Sequence, residues 1–327
     1  MRNILVPFPA LVALCLCCLL GPAPLRAAPA TPAVDPGWRP LVDRLAAEGL
    51  NRALLDRLFA PGALTYSPEI MARKVDAMVK KEFEPRPKPS RKTLEQSNYR
   101  HLLAPAVIAE AVRFVGQNRA AFDKASREYG PPAELVAAFL VVETRLGAYL
   151  GDRDALSVLA SLARSSRLED IAPFMRSLTG DPARRDFAAT AAADRAEWAF
   201  RELTALVRYA GAKNRQPGSI PGSIYGAVGI CQFMPTNALR YGVDADGDGV
   251  VDLFCPADAI VSVASYLRGH GWKPGMTEEE TRAVVYAYNH SDLYVLAVLA
   301  VADRIKAQRE GSAPARSPGR GKKAAKN

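Results

Sequence analysis

The chain has almost no apolar–polar alternation of the kind a half-buried strand requires, and this lack excludes a fold built on sheets. It has no internal repeat, and neither a dinucleotide-binding nor a P-loop glycine fingerprint. No nucleic-acid motif is present, so the formal charge of +9 is weak evidence for a nucleic-acid partner. Anionic lipid or a cell-wall polymer fits the charge as well. Cysteine is sparse: there are five, and Cys15, Cys17 and Cys18 all fall near the N-terminus. Long apolar runs are scarce too. The run between Arg2 and Leu20 falls short of the roughly 20 residues a spanning helix needs, and Pro7 and Pro9 interrupt its start.

What is present points to an exported helical protein. Apolar residues make up 49% of the 327, enough for a sizeable core without disulfides or metals. A positive start, a short apolar middle and the small-residue exit Ala27-Ala28-Pro29-Ala30 describe a cleaved signal peptide over residues 1–30. This predicts a periplasmic or secreted protein. Lipidation is not expected, because Leu14, Leu16 and Cys17 precede the cysteines where a lipobox needs a small residue. Cleavage leaves Cys231 and Cys255, which in an oxidising compartment form either one disulfide or two buried thiols.

Residues 34–92 read as an N-terminal helical segment and a connector. Leu41, Leu45, Leu50, Leu54, Leu55 and Leu58 recur at helical spacing, predicting two or three short helices between Trp38 and about Lys81. Glu84-Pro85-Arg86-Pro87-Lys88-Pro89 is incompatible with helix. Residues 93–305 are helical again except in the glycine-rich stretch Gly211 to Gly249. Residues 306–327 are predicted as a disordered basic tail, either solvated or a wall-binding arm.

Pro131-Pro132 opens a helix that is apolar on nearly every side until Glu143. Glu143 shares a face with Val136 and Leu140, and Gly147, four residues on, is expected to leave open space beside it. A carboxyl in such surroundings should have a raised pKa, as a general acid requires. A structural glutamate, paired with arginine or reaching solvent, is the alternative that periodicity leaves standing.

Four segments then resemble the lytic murein transglycosylases of the membrane-bound lytic transglycosylase B type, which have a lysozyme-like core. They are Val141-Val142-Glu143-Thr144-Arg145-Leu146-Gly147, Tyr225 through Gln232-Phe233-Met234-Pro235, Asp258 through His270-Gly271-Trp272, and Tyr288-Asn289-His290-Ser291. The resemblance implies a mostly α, lysozyme-like domain with an N-terminal helical extension and little or no β-sheet. It implies cleavage of the β-1,4 bond between N-acetylmuramic acid and N-acetylglucosamine in peptidoglycan glycan strands. Glu143 would protonate the leaving oxygen and then deprotonate the muramyl 6-hydroxyl, which closes a 1,6-anhydro ring. One carboxyl acting twice suits a sequence in which no convincing second carboxylate is found, whereas ordinary glycosidases need two.

By the same resemblance, Gln232 and Asn289 match saccharide-contacting residues, and Ser223 matches a serine near the catalytic carboxylate. Tyr288, Tyr294 and Tyr99 are candidate cleft residues, although each could be core, and His290 is read as a structural neighbour. No cofactor is required for the chemistry. Cell-wall assembly proteins are a second class of partner, no nucleic-acid partner is expected, and the protein is expected as a monomer. The alternatives are a hydrolytic muramidase and a non-catalytic peptidoglycan-binding protein.

Asp244-Ala245-Asp246-Gly247-Asp248-Gly249-Val250-Val251-Asp252 follows the calcium-loop pattern, with Asp244, Asp246, Asp248, the Val250 carbonyl and Asp252 as ligands. The twelfth position, normally a bidentate acid, is Cys255, which predicts weakened affinity for a structural calcium. The familiar relative has glycine where Cys231 stands, so a Cys231–Cys255 disulfide is expected to compensate by stapling the two loops. The insertion between the Gly-Trp turn and the Tyr-Asn motif is nearly absent, and the arginine-bearing stretch after the catalytic helix is poorly matched around Arg164 to Glu169. Substituent preference is therefore not carried over.

Overall fold

The structure is a computed structural model that describes residues 33–311 apart from 86 and 214. The expected signal peptide, and the basic tail from residue 312 on, lie outside the described residues. Three helices open the chain: α1 (Arg39–Ala47), α2 (Arg52–Leu58) and α3 (Pro68–Phe83). After the proline connector come α4 (Arg91–Gln96), a 3-10 turn over Asn98–Leu103, α5 (Pro105–Gln117), α6 (Arg119–Tyr129) and α7 (Ala133–Thr144). The chain continues through α8 (Ala155–Arg164), α9 (Leu168–Ile171), α10 (Pro182–Ala212), α11 (Pro235–Tyr241), α12 (Pro256–Gly269), α13 (Glu278–Tyr288) and α14 (Asp292–Gly311). Two short strands, β1 (Arg153–Asp154) and β2 (Pro221–Gly222), pair antiparallel and form the sheet found among the described residues.

Local chemistry sets the boundaries. Proline stands in the first turn of α3, α5, α10, α11 and α12, where its missing N–H is not needed. Asp154 caps α8 by accepting from Leu156 and Ser157, and Thr277 with Glu280 forms a reciprocal capping box on α13.

Two boundaries differ from expectation. The last helix runs to Gly311, because Ile305 is still buried and no breaker follows it, so the tail drawn from 306 starts inside a helix. The glycine-rich stretch also contains α11, opened by Pro235.

The core is continuous across the chain. α7 packs on α14, α12, α5 and α6, so its residues from Leu135 to Val141 are all buried. On the other side α10 packs on α8 and α3. The N-terminal helices join this body through Trp38, 2% exposed, whose ring meets Phe59 and Tyr66 edge-on while the Arg164 guanidinium lies over it. Among the described residues no single helix is long and apolar enough to cross a membrane.

Candidate active site

Glu143 lies in the last turn of α7, and the way that helix ends fixes its surroundings. Arg145, Leu146 and Gly147 take left-handed φ values of 51°, 63° and 95° in succession. Two non-glycine residues in that region are disfavoured by their β-carbons, so other contacts must hold them. The Leu146 N–H donates to the Leu140 carbonyl at 2.9 Å. The Thr144 hydroxyl accepts from the Gly147 N–H at 2.9 Å and donates to the Ile230 carbonyl at 2.7 Å. The residue next to Glu143 thereby ties the helix end to the glycine-rich loop. The open space expected at Gly147 is absent, since a β-carbon there would meet Ile230 at 3.4 Å. Glycine is required by the backbone angle instead.

The Glu143 carboxyl opens to a cleft of about 620 Å³ bordered by Tyr99, Val142, Arg145, Tyr149 and Leu293. Among the described residues lining that cleft, Glu143 is the one carboxylate. The Tyr294 hydroxyl donates to its Oε1 at 2.5 Å. Burial pushes the Glu143 carboxyl up to about 7, and the single hydrogen bond from Tyr294 only partly opposes this. Tyr294, 1% exposed, stacks against Tyr288 with centroids 6.3 Å apart, and both pack on Phe139 of α7. The carboxyl can hold a proton near neutral pH and release it to a bound group, which is what a general acid does.

The other expected residues divide. Tyr99 borders the cleft, and its phenol is held high first by burial and then by the Glu143 charge. The Tyr288 hydroxyl donates to the Cys231 carbonyl, and its ring packs on Phe139, Phe233 and Tyr266. The Ser223 hydroxyl accepts from the Tyr225 and Ala227 N–H groups of its own loop, at 3.2 and 3.1 Å. Gln232, at φ 50°, donates its amide to the Gly229 carbonyl at 2.9 Å and the Leu150 carbonyl at 3.4 Å, locking the loop to the chain beyond α7. Asn289 caps α13 with an exposed side chain, and His290 packs edge-on against Tyr286. Tyr149 was missed. It borders the cleft with 69% exposure, and its only sequence signal is an aromatic just past the glycine that ends the helix.

The acidic loop departs from expectation at one ligand, Asp252, and at the disulfide. Asp244, Asp246 and Asp248 do gather, with carboxylate oxygens within 4.8 Å of one another. Asp244 is held below its ordinary value, first by the Gly249 N–H and also by that of Gly247. Asp252, by contrast, is paired with Lys213 and with Arg215 (3.2 Å), on the stretch that follows α10. The expected disulfide is not formed. Cys231 is a fully buried free thiol, and the Cys255 thiol instead donates to Asp246 at 3.4 Å. Asp258, also missed, is 1% exposed and clamps the loop by accepting from Ala245 (2.8 Å) and Asp252 (2.5 Å). Three carboxylates and a carbonyl remain for a hard cation that takes six to eight oxygens, and a thiol is a poor substitute for the missing acid. The residues present fit a weak calcium site.

Residues 33–282 match the Transglycosylase SLT domain family. The chain belongs to that family. The lytic murein transglycosylase resemblance read from four motifs is thus borne out. Membrane-bound lytic murein transglycosylase B of Escherichia coli (strain K12) is 32% identical over 173 residues, 53% of this chain. The match spans 41% of that relative's length. The mostly helical, lysozyme-like fold is shared with the E. coli lytic transglycosylase SLT35 in complex with bulgecin A, with a TM-score of 0.65 at 22% identity over 86% of this chain and 97% of that one. The same protein in complex with calcium gives 0.62 at 22% identity over the same shares. SltB3 from Pseudomonas aeruginosa in complex with NAG-NAM-pentapeptide gives 0.60 at 21% identity, over 82% of this chain and 78% of that one.

Proposed function

We propose that this protein is a peptidoglycan lytic transglycosylase acting in the periplasm or outside the cell, with Glu143 as its single acid and base. The observation that carries this reading is a lone carboxyl in an open cleft, held at about 7 by burial with one tyrosine hydroxyl as its partner. Protonated Glu143 gives its proton to the glycosidic oxygen between N-acetylmuramic acid and N-acetylglucosamine. The bond breaks and positive charge develops at the anomeric carbon. Glu143, now ionised, takes the proton of the muramyl 6-hydroxyl as that oxygen bonds to the anomeric carbon and closes the 1,6-anhydro ring. The carboxyl ends as it began, and no water is consumed. The nucleophile belongs to the same sugar, so proximity is built into the substrate and no second carboxylate is needed. Tyr99 and Tyr149 offer aromatic faces to sugar rings, while Thr144, Gln232 and Tyr288 hold the loop against the helix.

Calcium takes no part in this chemistry. When bound it would be held by Asp244, Asp246, Asp248 and the Val250 carbonyl, bracing the loop that supports Ile230.

The test is mass spectrometry of soluble products from purified peptidoglycan treated with the mature protein, beside Glu143→Gln. Muropeptides lighter by one water than hydrolysis products, and absent with the variant, are expected. Hydrated reducing ends would identify a muramidase. Binding without release would identify a wall-binding protein.

A further inference from the structure

The acidic loop carries negative charge that nothing within it balances. Five aspartates fall between residues 244 and 258, and no lysine or arginine stands among them. Carboxylates crowded in this way repel one another unless a cation lies close by. A bound metal is one source of that cation, and the chain itself is another.

The stretch that follows α10 brings cations to the loop. Lys213, next after the helix, pairs with Asp252, and Arg215 reaches the other carboxylate oxygen at 3.2 Å. The Lys213 side chain is only 3% exposed. An ammonium so far from water is stable only where an anion and further hydrogen bonds meet it. Both are present, since Lys213 also donates to the Tyr209 hydroxyl at 3.1 Å. That hydroxyl accepts in turn from the Leu253 N–H at 3.2 Å, and the Arg215 guanidinium lies 5.3 Å from the centroid of the Phe254 ring. Residues 252, 253 and 254 are each held from the α10 side.

This same segment touches the glycine-rich loop. The Leu253 carbonyl accepts from the Ile230 N–H at 2.8 Å, and a β-carbon on Gly229 would come within 2.6 Å of that carbonyl oxygen. The Ile230 carbonyl accepts from the Thr144 hydroxyl, next to Glu143. A line of contacts therefore runs from Lys213 to the residue beside the acid, and every member of it belongs to the protein.

A cation fixed to the chain cannot dissociate, so it braces the loop at any calcium concentration. It also engages Asp252 and repels a second cation, which lowers the calcium affinity of the remaining oxygens.

We propose that Lys213, assisted by Arg215, is a tethered cation that braces this loop in place of calcium, and is thereby a positioning residue for Glu143. The consequence for activity rests on the peptidoglycan reading above; the consequences for stability and calcium binding do not.

The test uses the mature protein as wild type, Lys213→Met and Arg215→Ala, each melted in EDTA and in millimolar calcium and titrated with calcium by calorimetry. Wild type is expected to melt at nearly the same temperature in both media. Lys213→Met should melt lower in EDTA and regain part of that loss in calcium. It should bind calcium about tenfold more tightly, because Asp252 is released to the ion. On glycan strands its kcat should fall about tenfold in EDTA and recover with calcium, with KM little changed. A wild type that loses stability when calcium is removed, or a Lys213→Met that loses the same amount in both media, would overturn the proposal. Should Lys213→Met not fold, Arg215→Ala decides, because its side chain is 41% exposed. A calcium affinity in Arg215→Ala no higher than that of wild type would then overturn it. A wild type inert on glycan would remove the peptidoglycan reading, while the melts and the calorimetry would still judge the brace.

Discussion

Glu143 in the cleft and Asp76 on α3 are both carboxylates drawn out of water, yet they stand at opposite ends of the titration range. Burial is the largest influence on each and acts upward on both. Glu143 has one donor, the Tyr294 hydroxyl, and rests at about 7. Asp76 has three: the backbone N–H groups of Arg176 (2.9 Å) and Ser177 (2.6 Å), and the Lys80 ammonium (3.0 Å). It rests at about 2. Burial alone therefore does not make an acid; burial with few donors does. Asp76 is structural, tying α3 to the chain that leads into α10, and Glu143 is left free to exchange its proton.

Removing the ionisable group from the cleft should have the largest effect. Glu143→Gln is expected to lower product release by about 10³-fold, within the range a positioned general acid contributes. Because the folded pKa of Glu143 is raised, its stabilising contribution is whole below its ordinary value of 4.5 and lost as pH rises through about 7. The glutamine variant should therefore be more stable than wild type at pH 8, by about 1–2 kcal/mol after allowance for the opening to the cleft, and no more stable at pH 4. Thermal melts at the two pH values check this, and wild-type activity should fall as pH rises above about 7.

Asp76→Asn probes the opposite case. Its folded pKa is depressed, so its contribution is present above its ordinary value of 3.8 and lost as pH falls through about 2. The variant should be destabilised by about 2 kcal/mol at pH 7, and the gap should close near pH 2, as read from urea titrations. An equal gap at both pH values would mean that packing, not charge, is responsible.

Tyr294→Phe takes away the one donor and should make the two carboxylates differ more. The Glu143 carboxyl should rise further, moving the high-pH limb of the activity profile upward, with a rate loss of about tenfold from the lost hydrogen bond to a charged group. A limb that stays in place would show that the tyrosine only packs.

The smallest effect is expected from Cys255→Glu, which returns an acid to the twelfth loop position. Calcium affinity by calorimetry should rise about tenfold through the added ligand charge. No gain would indicate that Asp258 and the Asp252 pairs with Lys213 and Arg215, rather than the missing acid, set the loop's geometry.

Sequence alone determined what repeats locally. The apolar run before Glu143, the prolines that open helices, the three-aspartate loop and the near absence of strand alternation each follow from neighbours a few residues apart, where 3.6-residue periodicity and turn chemistry act directly. Packing decided the rest, because its partners are remote in the chain. Glu143 and Tyr294 are 151 residues apart, and Lys213 reaches across 39 to draw Asp252 out of the calcium pattern. A Cys231–Cys255 pair is expected as compensation for the missing acid, and the two loops do meet, the Ile230 N–H donating to the Leu253 carbonyl at 2.8 Å. Each thiol nonetheless faces its own surroundings, one fully buried and one against Asp246. No spacing rule encodes where a side chain points once two loops touch, and only the tertiary structure set which tyrosine holds the acid and which cations gather beside the loop.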